Sequence, residues 1–199
     1  GDDFYYLKDI VKIDNTGQTV RVQPGITWKI LDQEIQKVGL TLRLYPTSYP
    51  SSTVGGWLAQ GGAGLGSYQH GFFRENVRSA KVIMANGEER TFSGQDLDLI
   101  ADAEGTTGFI VEVELEIAPI KAQTPICTAF GREEDAVRYI EYIGFHRKAI
   151  WSVHMLTPEM VTMKNLAAAQ IQAEGGHHGQ NGSQPHQPPL KPANIVCIV

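Results

Sequence analysis

From Leu44 through Phe73 the chain carries no Asp, Glu, Lys or Arg, and seven glycines fall between Gly55 and Gly71. This stretch, PTSYPSSTVGGWLAQGGAGLGSYQHG with its flanks, constrains the chain more than any other segment. Glycines and small hydroxyl residues let a backbone come close to a bulky ligand, and their N–H groups can hold an anion without a lysine. A neutral, donor-rich surface of that kind suits a large cofactor carrying a pyrophosphate. A tightly packed glycine-rich loop with no ligand explains the same composition equally well. The better-known fingerprints do not decide between them. GGAGLG lacks the GxGxxG spacing, and the sequence contains no GK dipeptide, no GxSxG and no HExxH.

The surrounding elements read as α+β. Asp9–Asp14 alternates like a strand, Asn15–Gln18 turns, and Thr19–Gln23 returns as a second strand. Thr27 caps a helix in which Trp28, Leu31, Ile35 and Val38 share a face, and Gly39 is placed to end it. Leu40–Tyr45 reads as a short strand. Asn86-Gly87 between Lys81–Ala85 and Glu88–Phe92 is a hairpin signal, and VEVELEI within Ile110–Ile120 alternates as a strand with one wet face. Beyond Pro119 the character changes, which places a domain boundary near residues 119–125. Strands are expected at Ile126–Phe130 and Ile150–Met155, with a helix at Glu133–Gly144. Another helix opens at Thr157-Pro158-Glu159. Residues 174–193 read as a Gly, Gln, His and Pro-rich flexible loop, and Asn194–Val199 as a strand cut off before its partner. No internal repeat is found.

The formal net charge is −5 over 199 residues, which argues against nucleic acid, and no apolar run is long enough for a transmembrane segment. Cys127 and Cys197 are the two cysteines. Their spacing offers no disulfide framework or metal cluster, so both are expected as small buried apolar residues in a reducing, cytoplasmic compartment. His177, His178 and His186 lie in the flexible stretch and read as linker rather than metal site. His70 and Arg74, beside the charge-free segment, read as ordinary loop and strand-entry residues.

A second small-residue cluster, Glu104-Gly105-Thr106-Thr107-Gly108-Phe109-Ile110, leads directly into VEVELEI. Its main chain could present an edge to a flat ring, or it could be a bulged strand entry. Taken in order, VRVQPGITW, PTSYPSSTVGGWLA, Tyr68–Gly71, VIMANGEERTFSG and EGTTGFIVEVELEI resemble the PCMH-type FAD-binding domain. Vanillyl-alcohol oxidase, D-lactate and glycolate dehydrogenases and alkylglycerone-phosphate synthase share that domain. The resemblance spans about Ile10–Pro119, and Thr128–Asn165 more loosely resembles the start of the family's cap.

The resemblance implies the second subdomain of an FAD-binding domain at 1–120, with a mixed, mainly antiparallel sheet and flanking helices. Residues 121–199 would be part of a cap or substrate domain. It implies that Pro46, Thr47, Ser48, Ser52, Thr53, Gly55 and Gly56 face the flavin and pyrophosphate, and that Gln60, Gly61, Gly62 and Ala63 continue that wall. Glu104, Gly105, Thr106, Thr107, Gly108, Phe109 and Ile110 would hold the adenine end. The family's first subdomain, with the main pyrophosphate-binding loop, is expected upstream of Gly1. The implied activity is oxidation of a small 2-hydroxy acid or related alcohol, with electrons passed to a downstream acceptor; a homo-oligomer stays open. An ether-lipid-synthase-like enzyme and a non-catalytic nucleotide-binding module are the rivals.

Overall fold

The computed structural model describes residues 7–145, 150–175 (side chains to 170) and 189–199. The chain divides into two compact units, Gly1–Gln123 and Thr124–Val199.

In the first unit, β1 (Ile10–Asp14) and β2 (Thr19–Val22) form a hairpin. The turn between them is fixed by the Gly17 amide, which donates to the Asp14 carboxylate at 2.8 Å. Helix α1 (Trp28–Gln36) begins where Thr27 Oγ1 accepts from the Ile30 amide, and buries Trp28, Leu31 and Ile35. Val38 falls outside the helix and is exposed. The expected strand Leu40–Tyr45 is shorter, β3 spanning Leu40–Leu42. Tyr45 instead makes a single bridge to Leu65 and thereby folds the charge-free segment back on itself.

That segment holds two helices that its glycine content does not suggest, α2 (Val54–Gln60) and the short α3 (Ser67–His70). Strands β4 (Val77–Met84) and β5 (Glu89–Ser93) then make the hairpin around Asn86-Gly87. Strand β6 (Gly108–Pro119) is the backbone of the unit: the sheet runs β1-β2-β6-β4-β5, with β3 on the far end of β6 and every pairing antiparallel.

The alternation in β6 does what its pattern implies. Val113, Leu115 and Ile117 are buried, while Glu112, Glu114 and Glu116 project to the other face. There Arg21 meets Glu112 at 3.4 Å, and Glu116 is shared by Arg43 and Arg78. On the buried face Trp57 and Phe73 stack at 4.5 Å, and the Trp28 ring stands edge-on to both at 5.3 and 5.2 Å. Such aromatic pairs contribute roughly 0.5–1.5 kcal/mol each beyond their burial. The Trp28 Nε1 proton has no conventional acceptor, and an edge-on ring can rest an N–H against a π face.

The second unit is a three-stranded antiparallel sheet with two helices: β7 (Ile126–Phe130), α4 (Glu133–Phe145), β8 (Val153–Leu156), α5 (Pro158–Gly175) and β9 (Asn194–Ile198). Its strand order is β7-β9-β8. Two expectations are overturned here. The strand at Asn194–Val199 is not cut off before its partner: β9 is the central strand, paired on both sides. Nor are the cysteines separate buried apolar residues. Cys127 and Cys197 are directly opposed across β7 and β9 and joined as a disulfide, with Cys127 exposed. Sequence distance hid the pair, because the two stand 70 positions apart and only the β7–β9 pairing sets them side by side.

Candidate functional site

The N-terminus of α2 is built by the small residues that precede and open it. Thr53 Oγ1 accepts from the Gly56 amide at 3.2 Å. The Val54 and Gly55 amides donate to the Ile26 and Pro24 carbonyls, and Trp57 N–H donates to Thr53 O. A Cβ on Gly55 would overlap the Pro24 ring, so glycine there serves packing of α2 against the β2–α1 connection. Likewise a Cβ on Gly64 would overlap the Tyr45 carbonyl, where the segment doubles back.

At its other end α2 is stitched to the second small-residue cluster. The Asp102 and Glu104 amides donate to the carbonyls of Leu58 and Ala59, at 3.1 and 2.8 Å. Those two bonds bring segments more than forty residues apart in sequence against one another. Gly108, where β6 begins, presses so closely on β4 that a Cβ would stand 2.6 Å from the Ile83 carbonyl oxygen.

The result is an open cleft of about 620 Å³. One side is Thr53, Gly55, Gly56 and Ala59; the other is Gly105, Gly108, Phe109 and Ile110; Pro24, Gly25, Thr27, Ile30 and Lys8 complete it. Lys8 is the charged residue among those lining it, and the exposed Phe109 and Ile30 give it apolar surface. Its size is within the roughly 300–1,000 Å³ usual for small-molecule sites.

The other sequence-predicted residues lie elsewhere. Pro46, Thr47, Ser48 and Ser52 form a turn whose bonds close locally, Ser52 N and Oγ both donating to Ser48 O at 3.0 Å. The turn is tied to α1 by Tyr49, whose hydroxyl donates to Asp32 at 3.0 Å. Burial and that carboxylate push the Tyr49 pKa up to about 12. Gln60, Gly61 and Gly62 line a different cleft of about 740 Å³ with Phe72, Arg74, Glu75, Asp98, Ala101 and Asp102. Ala63 is exposed and lines neither cleft.

Within Glu104–Ile110, Thr106 and Thr107 turn their hydroxyls to the carbonyls of Ala103 and Leu99, both at 2.7 Å, and Glu104 stays exposed. Arg74 is paired with Asp98 and the Gly94 carbonyl rather than solvated alone. His70 is held below the usual imidazole range by burial, with Arg43 adding to the effect. His177, His178 and His186 lie outside the described residues. Among the described residues no group of three His, Cys, Asp or Glu could hold a metal, and no helix is long and apolar enough to cross a membrane.

Sequence reasoning missed Lys8, Pro24, Gly25, Thr27, Ile30 and Ala59 as lining residues. The Pro24-Gly25 turn ahead of the Thr27 cap was the available signal, since α2 packs on that turn.

The cleft fits an extended, partly flat ligand better than an anion. The amides of residues 54–57 are already spent inside the protein, so α2 offers no open donor pair to a pyrophosphate. Apolar surface and glycine backbone at the mouth suit ring systems.

Residues 3–93 match a family described as an FAD binding domain. The chain is 28% identical over 167 residues to a D-lactate dehydrogenase of Anaerostipes hadrus, covering 78% of this chain and 34% of that protein. It is 31% identical over 170 residues to the alkyldihydroxyacetonephosphate synthase of Caenorhabditis elegans, covering 81% of this chain and 28% of that one. In fold it is similar to a solved alkyldihydroxyacetonephosphate synthase, with a TM-score of 0.72 at 20% identity, over 96% of this chain and 36% of that one. The chain thus spans about a third of the length of these relatives. With the paired strands, the capped α2 and the matched sequence in the same order, the chain belongs to the PCMH-type FAD-linked oxidase family.

Proposed function

We propose that this chain supplies one side of the FAD site of an oxidoreductase, and that the cleft between α2 and the start of β6 receives a flat part of the cofactor. The observation that carries this is the convergence of two small-residue walls, Thr53–Ala59 and Gly105–Ile110, on one apolar-mouthed cleft. Thr53, Gly55, Gly56, Gly105, Gly108, Phe109 and Ile110 are the proposed contact residues. The Pro46–Ser52 turn, the Gln60–Ala63 stretch and Glu104, Thr106 and Thr107 shape the segments that carry them.

A bound flavin would supply the acceptor for a hydride from the substrate. The chain's part is to orient it: α2 is pinned at both ends by backbone bonds, so the wall it presents is rigid. The substrate in this reading is a small 2-hydroxy acid or related alcohol, electrons passing to a second acceptor, in a cytoplasmic setting. A synthase-like reading is the second one, supported by the 31% identity to the C. elegans enzyme over 170 residues.

The test is flavin binding by the complete protein carrying Ala59→Phe, which places a ring in the cleft from its α2 wall. FAD affinity should fall about tenfold or more, with far-UV circular dichroism unchanged. Full flavin occupancy in that variant would overturn the assignment of the cleft.

A further inference from the structure

In the three-stranded sheet, Cys197 of β9 lies opposite Cys127 of β7 on one side and opposite His154 of β8 on the other. Directly paired residues of neighbouring antiparallel strands point to the same face, with Cβ atoms about 4.5–5.5 Å apart. The sheet register therefore sets a disulfide and an imidazole in one row. Two further features give that row chemistry. Cys127 is exposed on an edge strand whose other residues are partly or fully exposed, so a solvent thiol can reach its sulfur. The His154 ring is oriented by Ser152, a residue 2% exposed, whose Oγ stands 2.6 Å from Nε2.

We propose that Cys127, Cys197 and His154 form a thiol–disulfide exchange site, with small dithiols as reductants and His154 as the proton carrier. A dithiol attacks the exposed Cys127 sulfur. The Cys127–Cys197 bond breaks as the mixed disulfide forms, and Cys197 leaves as the thiolate. The attacking thiol's proton passes to the imidazole and on to the Cys197 sulfur. The second thiol of the reductant then attacks its own sulfur in the mixed disulfide, and its proton goes to Cys127. The protein disulfide gains two electrons and two protons, and the dithiol is oxidised to a cyclic disulfide. Burial shifts the His154 pKa below the ordinary imidazole value and so favours the uncharged ring, the form that keeps a nitrogen lone pair. Exposed disulfides are the labile ones in thiol exchange, and a thiol becomes the nucleophile once it passes its proton to a neighbouring base.

The experiment uses the 199-residue chain, air-oxidised, with dithiothreitol as the probe. Peptide mapping by mass spectrometry should find Cys127 joined to Cys197. Excess dithiothreitol without denaturant should reduce the bond fully while far-UV circular dichroism holds. His154→Gln and His154→Phe should each slow reduction about tenfold or more at neutral pH. Alkylation of Cys197 by iodoacetamide in the reduced chain should slow by a similar factor. Using two His154 variants keeps the test valid should the Phe side chain disturb the sheet. Absence of the cross-link, reduction only in denaturant, or unchanged rates in a folded His154 variant would each overturn the proposal.

Discussion

Gly55 and Gly56 are adjacent and both line the cleft, yet they are glycine for different reasons. A methyl group on Gly55 would run into Pro24, whereas one on Gly56 would meet only the Thr53 cap oxygen at 2.9 Å. Gly55→Ala should therefore destabilise the fold by about 1–3 kcal/mol, the usual cost of overpacking. Gly56→Ala should be near neutral, because disturbing the Thr53 cap costs about 1 kcal/mol and alanine regains about as much over glycine inside a helix. Urea denaturation of the two variants measures the difference, and equal values would mean that Pro24 yields freely. Tyr49 provides a test by pH. Its folded pKa, near 12, lies above the ordinary 10, so its contribution is fully present below pH 10 and is lost as pH rises through 12. Tyr49→Phe should flatten the fall in stability over that window, followed by thermal unfolding at alkaline pH.

At the scale of elements, the β4–β5 hairpin and β9 carry different kinds of information. Gly87 has φ +82° in the turn, and a Cβ there would meet nothing within 4 Å, so only backbone strain opposes a side chain. Gly87→Ala should cost roughly 1–2 kcal/mol, and Gly87→Asn less, by denaturant titration. Strand β9 is enclosed by β7 and β8, and Val196 is fully buried. Val196→Ala should remove roughly 2 kcal/mol from the unit that contains it, read by denaturant titration. Both hairpins and most of the helix starts are legible in the sequence because each depends on residues within a few positions: Thr27, Asn86-Gly87 and Thr157-Pro158. Helix α2 is not, because Gly55 and Gly56 conceal an ordinary pattern. Thr53 caps it, and Val54, Trp57 and Leu58 fall on one buried face. Among the glycines that suggested a ligand loop, Gly55 and Gly64 stand where other backbone comes close, and Gly61, Gly62, Gly66 and Gly71 take positive φ.

At the scale of the whole molecule, the site is a product of stitching between distant segments. Since the amides of residues 54–57 are committed to Pro24, Ile26 and Thr53, the 199-residue chain by itself should bind FAD weakly. A pyrophosphate held without donors costs more than ring contacts return. Calorimetric titration of this chain with FAD tests that expectation, and tight stoichiometric binding would count against it. The sequence alone determined the α+β class, the antiparallel strands, the wet and dry faces of β6, and the family, through the order of its local motifs. Local order survives in a linear reading because caps, turns and alternation act over two to four residues. Only the tertiary structure decided which small residues share the cleft, that Pro24 and Ala59 belong to it, that β9 is central, and that Cys127 meets Cys197. Each of those depends on strand register and on backbone hydrogen bonds between segments tens of residues apart, and no local pattern encodes a register.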